Sequence, residues 1–224
     1  IHLLNIMNYD EIIIGVDEAG RGPLFGPVYT GAVILPYEEI SDFDRSQLKD
    51  SKKFTSKKKL KQVFENIINC EGLIYCVDSA DHEEIDKHNI LQATQRSMHR
   101  SITGVIKKYI ESKNDENINM NQIKICVDGN YFHSYKYFYD NMYHIIKHEC
   151  LVKGDSLCKE ISAASILAKY SRDKFIEEFV EMNPEYDEKY CLLKNKGYGT
   201  KQHIEGIKQY GYTPYHRKSF KLKK

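Results

Sequence analysis

The stretch "EIIIGVDEAGRGPLFGPV" (Glu11–Val28) decides how this chain is read. An apolar run, Ile12 to Val16, ends on two adjacent carboxylates, Asp17 and Glu18, and passes at once into Gly20-Arg21-Gly22 with prolines at 23 and 27. Such a run predicts a buried strand over 11–16. Two carboxylates at the end of a buried strand repel each other and lose hydration, which is unfavourable unless something relieves it. A basic side chain, a metal ion or open water would each do so.

The chain has 224 residues, 41% of them hydrophobic, which suits one α/β domain with at most a small appendage. Its most apolar run, "VYTGAVIL", falls far short of a bilayer span, and "IHLLNIMNYD" lacks the basic and apolar regions of a signal peptide. The chain opens on Ile1, with Met7 offering a natural start. None of the six cysteines forms a C-x-x-C pair, so they read as reduced intracellular thiols packed as small hydrophobes, and a cytoplasmic protein is expected. The net charge is only +1, but it is unevenly distributed: residues 45–62 carry +7 and residues 216–224 carry +5, leaving −11 elsewhere. A basic face for polyanions fits that division, as does a solvated helix face with a frayed tail.

Strands are expected near 11–16, 27–35, 72–78, 123–128 and 143–152. Helices are expected over 56–68, 89–111 and 155–180, the last with Asp155 and Ser156 at its capping position, and a short one near 200–210. Segment 112–122 reads as a polar loop. This order predicts an α/β fold, a mixed five-stranded sheet with helices on both faces. If the first and fourth strands are parallel neighbours, Asp17 and Asp128 emerge together at one end of the sheet, and Asp155 joins them if the fifth strand delivers it. Clustered carboxylates suit hard divalent cations, and paired metals are a common device for cutting phosphodiesters. Taken singly, each Asp fits a turn or cap equally well, Asp128 in "DGN" above all.

The motifs resemble those of ribonuclease HII, the type 2 ribonuclease H family. "GVDEAGRGPLFGPV" (15–28) matches that family's opening motif nearly letter for letter. "LKDSKKF" (48–54), "HNILQATQRSMHRSI" (88–102), "VDGN" (127–130), "KGDSLCKEISAASILAKYSRD" (153–173) and "NKGYGTKQHIEGIKQYGYTPYHRKSF" (195–220) follow in the family's order. The resemblance implies a ribonuclease H-like catalytic domain over 7–182 and a helical C-terminal extension for substrate binding over 183–224. It implies a monomeric endonuclease, away from membranes, acting on the RNA strand of RNA/DNA hybrids and on DNA duplexes carrying single ribonucleotides. Cleavage would leave 3′-hydroxyl and 5′-phosphate ends.

By the same resemblance Asp17, Glu18, Asp128 and Asp155 hold two Mg²⁺ or Mn²⁺ ions that activate a water and stabilise the leaving oxygen. Gly20, Arg21 and Gly22 approach the 2′-hydroxyl that distinguishes RNA from DNA. Tyr198 packs on the sugar that follows the ribonucleotide. Lys52, Lys53, Lys169 and Arg172 are expected phosphate contacts, the last two three residues apart on one helix face. His216 and Arg217 are weaker candidates, and His203 is expected at the surface. Segment 129–152, rich in Tyr and Phe, is longer than a bacterial member needs and reads as an extra lid or an elongated strand pair. A binding module without activity is the rival reading, which the complete acid set disfavours. A phosphotransferase would need a phosphate loop, and none is present.

Overall fold

The Ile12–Val16 run forms the strand its composition predicts. In the computed structural model, which describes residues 11–36, 44–48, 56–113 and 118–222, β1 (Ile12–Ala19) lies between β2 (Val28–Ile34), antiparallel to it, and β4 (Ile123–Asp128), parallel to it. With β3 (Ile74–Ala80), β5 (Tyr135–Tyr139) and β6 (Met142–Leu151), the sheet runs β3-β2-β1-β4-β6-β5. It is mixed, as expected, but has six strands rather than five. The added strand, β5, comes from the Tyr/Phe-rich segment, which is an elongated strand pair. The chain reverses at Asp140 and Asn141, both at positive φ, as a two-residue hairpin turn requires. Tyrosine obscured this strand in the sequence: Tyr135, Tyr137 and Tyr139 pack inward, but an amphipathic ring at every second position does not read as apolar alternation.

Alternation along β1 divides the core. Ile14 and Val16 face α2 (His82–Ser112), joined there by Ala32, Ile34, Met98, Ile102, Val105 and Ile106. On the opposite face Val33 and Leu35 meet α1 (Lys57–Ile68) and α4 (Lys159–Met182) through Leu60, Val63, Ile67 and the run Ala163–Leu167. In α1 the apolar residues recur at helical spacing while Lys58, Lys59 and Lys61 stay exposed. α2 begins earlier than expected, capped by Asp81, whose side chain accepts from Glu84 N at 2.8 Å. The expected start at 89 is a real discontinuity: Asn89 has φ 65° and its side chain re-caps the chain by accepting from Gln92 N.

The expected 155–180 helix is two helices, α3 (Gly154–Leu157) and α4, separated by Cys158 in extended geometry. Asp155 therefore lies in the first turn of α3 instead of capping a long helix, and the residue before that turn is Lys153, in left-handed geometry. Residues beyond 183 form α5 (Pro184–Tyr190), α6 (Leu192–Asn195) and α7 (Lys201–Tyr210), packed with the end of α4 around Phe25 and Leu24. None of the six cysteines is joined in a disulfide. No helix among the described residues is long and apolar enough to cross a membrane.

The approach of α4 to the sheet depends on two missing side chains. A Cβ on Gly15 would lie 2.1 Å from the Glu160 carbonyl carbon, and one on Gly31 2.5 Å from the Ala164 oxygen. Backbone on both sides of the contact leaves nothing flexible to yield. Gly15→Ala is therefore expected to destabilise the fold by about 3 kcal/mol, as overpacking of a filled core does. The urea midpoint measures it: the midpoint falls at constant slope, and an unchanged midpoint would show that α4 does not press on β1.

Candidate active site

Parallel pairing of β1 with β4 sets Ile12 opposite Ile123 and Val16 opposite Val127, so Asp17 and Asp128 leave the sheet at the same end. β6 runs parallel to β4, pairing Asp128 with Leu151, and delivers Asp155 three residues after Val152. The Gly154 N–H then donates to Asp128 Oδ1 at 2.7 Å, fixing the α3 turn against the end of β4. Asp17 and Asp155 are buried. Glu18, on the opposite face from Asp17, lines a 240 Å³ cavity with Asp128, Arg21, Asn130, Tyr131 and Gln95 of α2.

These carboxylates feel one another. Burial first, and then the charges of Glu18 and Asp128, push the Asp17 carboxyl well above its ordinary range, against hydrogen bonds from Ser165 and the Glu18 N–H. Among the described residues no three His, Cys, Asp or Glu side chains converge closely enough to enclose an ion. Local partners hold three of the acids: Asp17 Oδ1 accepts from Glu18 N at 2.7 Å, Glu18 pairs with Arg21 at 3.3 Å and Asp128 accepts from Gly154 N. As a donor set the four acids are hard oxygen ligands at one end of the sheet, with Asp17 raised by burial and by the charges of Glu18 and Asp128. That is the chemistry a divalent cation satisfies.

The Gly20–Pro27 loop is held from behind by two arginines. Arg217 donates from Nε to Gly26 O at 2.8 Å, from Nη1 to Arg21 O at 3.1 Å and from Nη2 to Gly20 O at 2.7 Å. Arg172 donates from Nε to Pro27 O at 3.2 Å, and from Nη2 to Phe25 O at 3.3 Å and Lys196 O at 2.9 Å. Both are fully buried, so the phosphate contact expected of Arg172 gives way to a role inside the loop. Gly20, at φ 97°, is where the Arg172 side chain needs room: a Cβ there would lie 2.1 Å from Arg172 Nε. Burial, and for Arg217 also the charge of Arg172, lowers both guanidinium pKa values, to about 9 for Arg217, which stays protonated at neutral pH.

Tyr198 lies beside this loop. The residue is 46% exposed, and a Cβ on Gly22 would stand 3.5 Å from its ring, with the Arg172 guanidinium 5.8 Å from the ring centre. Arg21 is exposed and points to Glu18. Lys169 is bound to Asp173 at 2.7 Å, on the outer side of α4. Lys52 and Lys53 lie outside the described residues. His203 is fully buried, not at the surface as expected, and His216 and Arg217 are buried with it. Two contributors escaped the sequence reading: Ser165, whose hydroxyl reaches Asp17, and Gln95, which accepts from His133 N at 2.8 Å beside the cavity. The signal for Ser165 was available, a hydroxyl within the apolar face of α4.

Asp17 sets the sign of a pH effect. A carboxyl whose folded pKa is raised binds its proton more tightly when folded, so it destabilises the fold increasingly as pH rises above the ordinary carboxylate range. With divalent ions chelated, Asp17→Asn is expected to raise the denaturation midpoint at pH 7 and to leave it nearly unchanged near pH 3. A lower midpoint at pH 7 would show that the carboxylate is stabilised where it stands.

The chain matches the family model described as Ribonuclease HII over residues 14–223. It is 43% identical over 220 residues to the ribonuclease HII of Christiangramia forsetii, covering 98% of this chain and 96% of that protein. Among solved structures it is similar to the ribonuclease H2 of Pyrococcus horikoshii, with TM-score 0.61 and 26% identity over 93% of each chain. Its fold also matches that of Bst-RNase HIII in complex with Mn²⁺, with TM-score 0.58 and 18% identity, covering 89% of this chain and 70% of that one. A mixed sheet carrying acids at the ends of β1 and β4 and the start of α3, together with these matches over nearly the whole length, leads to one conclusion: the chain belongs to the ribonuclease HII family of metal-dependent endoribonucleases.

Proposed function

We propose that this ribonuclease H cuts RNA paired with DNA, and cuts 5′ of single ribonucleotides embedded in duplex DNA, using two divalent ions. The observation that carries the reading is the meeting of two features at one sheet end. The acids at the ends of β1 and β4 stand next to the Gly20–Gly22 loop, and Tyr198 lies against that loop. Acids serve cleavage of any phosphodiester; a narrow glycine loop beside an exposed aromatic ring serves a choice between sugars.

Asp17, Glu18, Asp128 and Asp155 are the residues to hold Mg²⁺ or Mn²⁺, and a ribonuclease HIII of the same fold is described with Mn²⁺. Ions bound there supply activation of a water and stabilisation of the leaving 3′-oxygen. The chain's own part is positioning. The buried Arg217 guanidinium fixes the loop carbonyls of Gly20 and Arg21, so the loop's outer edge meets a 2′-hydroxyl without first having to order itself. Tyr198 offers a ring face to the next sugar, and Arg21 balances Glu18 at the cavity mouth. Lys52 and Lys53, and Lys169 once released from Asp173, suit phosphates along the duplex.

Cleavage of a duplex carrying one ribonucleotide, with product ends mapped, tests this directly. Product is expected only with Mg²⁺ or Mn²⁺, as a 3′-hydroxyl and a 5′-phosphate, cut on the 5′ side of the ribonucleotide; cutting on the other side, or with metal chelated, would refute it. Asp17→Asn and Asp155→Asn are each expected to lower kcat by at least about a thousandfold, since the acids act as one unit. Full activity in either variant would remove that residue from the metal set. Tyr198→Ala is expected to slow cleavage at a single embedded ribonucleotide more than cleavage of a continuous hybrid, with Tyr198→Phe milder. Equal losses on both substrates would make Tyr198 a general positioning residue.

A further inference from the structure

His203 and His216 are both fully buried, on α7 and in the segment after it, and neither takes part in the chemistry above. His203 Nδ1 lies 2.9 Å from the Tyr198 carbonyl oxygen, and the Nε2 atoms of the two rings are 3.0 Å apart. His216 Nδ1 lies 3.0 Å from Thr213 N and 2.8 Å from its hydroxyl. These contacts admit a single arrangement of protons. A carbonyl only accepts, so His203 Nδ1 carries a hydrogen; in a neutral ring its Nε2 is then bare. His216 Nε2 must therefore donate to it, which leaves His216 Nδ1 to accept from the Thr213 N–H.

The result is a chain of hydrogen bonds with one direction, Thr213 N–H to His216 to His203 to Tyr198 C=O. Every member is satisfied while both rings are neutral, and adding a proton to either ring sets two donors against each other. The surroundings keep them neutral. Phe25, Tyr190 and Tyr212 pack their rings 5.1 to 5.4 Å from His216, and no carboxylate among the described residues pairs with either histidine. Burial, then the neighbouring His203, takes His216 down to about 3, and burial also lowers His203.

We infer that His203, held by His216, is a positioning residue for substrate discrimination: it fixes the Tyr198 backbone and so sets where the exposed ring stands against Gly22. Tyr198 N donates to Asn195 O at 2.9 Å, and Gly197 N is held by the Asn195 side chain at 2.7 Å. On the far side of the residue the Tyr198 carbonyl accepts from Thr200 N at 2.8 Å and from His203, and the His203 bond is the one that ties it to the C-terminal segment. The inference rests on the proposed role of Tyr198 in reading the sugar that follows the ribonucleotide.

Amides of two lengths separate the two ring nitrogens. Asn at 203 places an N–H where Nδ1 was and keeps the bond to Tyr198; Gln places its amide where Nε2 was and keeps only the bond to His216. The quantity measured is the ratio of kcat on a single embedded ribonucleotide to kcat on a continuous hybrid, with KM recorded for both. His203→Gln is expected to lower that ratio about fivefold, the scale of one lost hydrogen bond, with His203→Asn staying within about twofold of the native protein. Added to Tyr198→Ala, His203→Gln is expected to change the ratio no further, because both act through one residue. His216→Asn, which loses only the bond to His203, is expected to stay within about twofold like His203→Asn; His203→Leu, which has no ring nitrogen, is expected to match His203→Gln and serves if the latter fails to fold.

Equal losses for Asn and Gln, or additive losses in the double variant, would reduce His203 to packing and overturn the inference. A native ratio in His203→Gln alongside a lowered ratio in Tyr198→Ala would overturn the relay and leave the Tyr198 reading standing. A native ratio in Tyr198→Ala would remove that reading, and the relay with it.

Discussion

Two buried guanidinium groups, Arg172 and Arg217, fix the Gly20–Pro27 loop, and much of the active-site architecture depends on them. Among the described residues neither has a carboxylate partner; together they donate to the carbonyls of Gly20, Arg21, Phe25, Gly26, Pro27 and Lys196. A buried charge is tolerable only when its hydrogen-bonding capacity is met in full. Arginine is suited to this, because its planar fork can take several carbonyls at once where an ammonium group acts as a single point. The arrangement also dictates the glycine at 20, since Arg172 occupies the space that a side chain would fill.

The loop connects elements that are distant in sequence. Leu24 N donates to Gly197 O at 2.8 Å, Gly26 N to Tyr215 O at 3.1 Å, and Arg217 N returns a bond to Leu24 O at 2.8 Å. Phe25 anchors the aromatic cluster formed by α4, α5 and the C-terminal segment. The strand that ends in Asp17 and Glu18 therefore continues directly into a segment gripped by residues 172, 197, 215 and 217. The acids proposed to hold metal and the loop proposed to choose the sugar are held by one backbone, so their relative placement is set by folding. Positive charge behind the loop and negative charge in front of it also oppose each other across a few residues of main chain.

Much of this was legible in the sequence, for identifiable reasons. β1 and β4 announce themselves as apolar runs ending in Asp, and parallel pairing then brings Asp17 and Asp128 to one end without further information. α1 shows its buried face because Leu60, Val63 and Ile67 recur at helical spacing among lysines and other polar residues. β5 showed only as one of two readings of the Tyr/Phe-rich segment, a lid or an elongated strand pair, because tyrosines disguise alternation and the Asp140-Asn141 turn lacks a glycine. The break at Cys158 was hidden because the residues on both sides of it favour helix. His203, Arg172 and Arg217 were read as surface or phosphate-facing groups, since composition treats charged and polar side chains as solvated. Their burial follows from carbonyls that only the folded loop presents, and no local pattern encodes those.

The claim that guanidinium forks, and not positive charge alone, hold the loop is tested most directly by amide hydrogen exchange in Arg217→Lys. Lysine keeps the charge but cannot bridge the carbonyls of Gly20, Arg21 and Gly26. Exchange at the Leu24 and Gly26 amides is expected to accelerate by about tenfold or more, the scale of local opening when such contacts are lost, with amides of β1 and β4 unchanged. Native exchange rates at Leu24 and Gly26, or equal acceleration throughout the sheet, would contradict it.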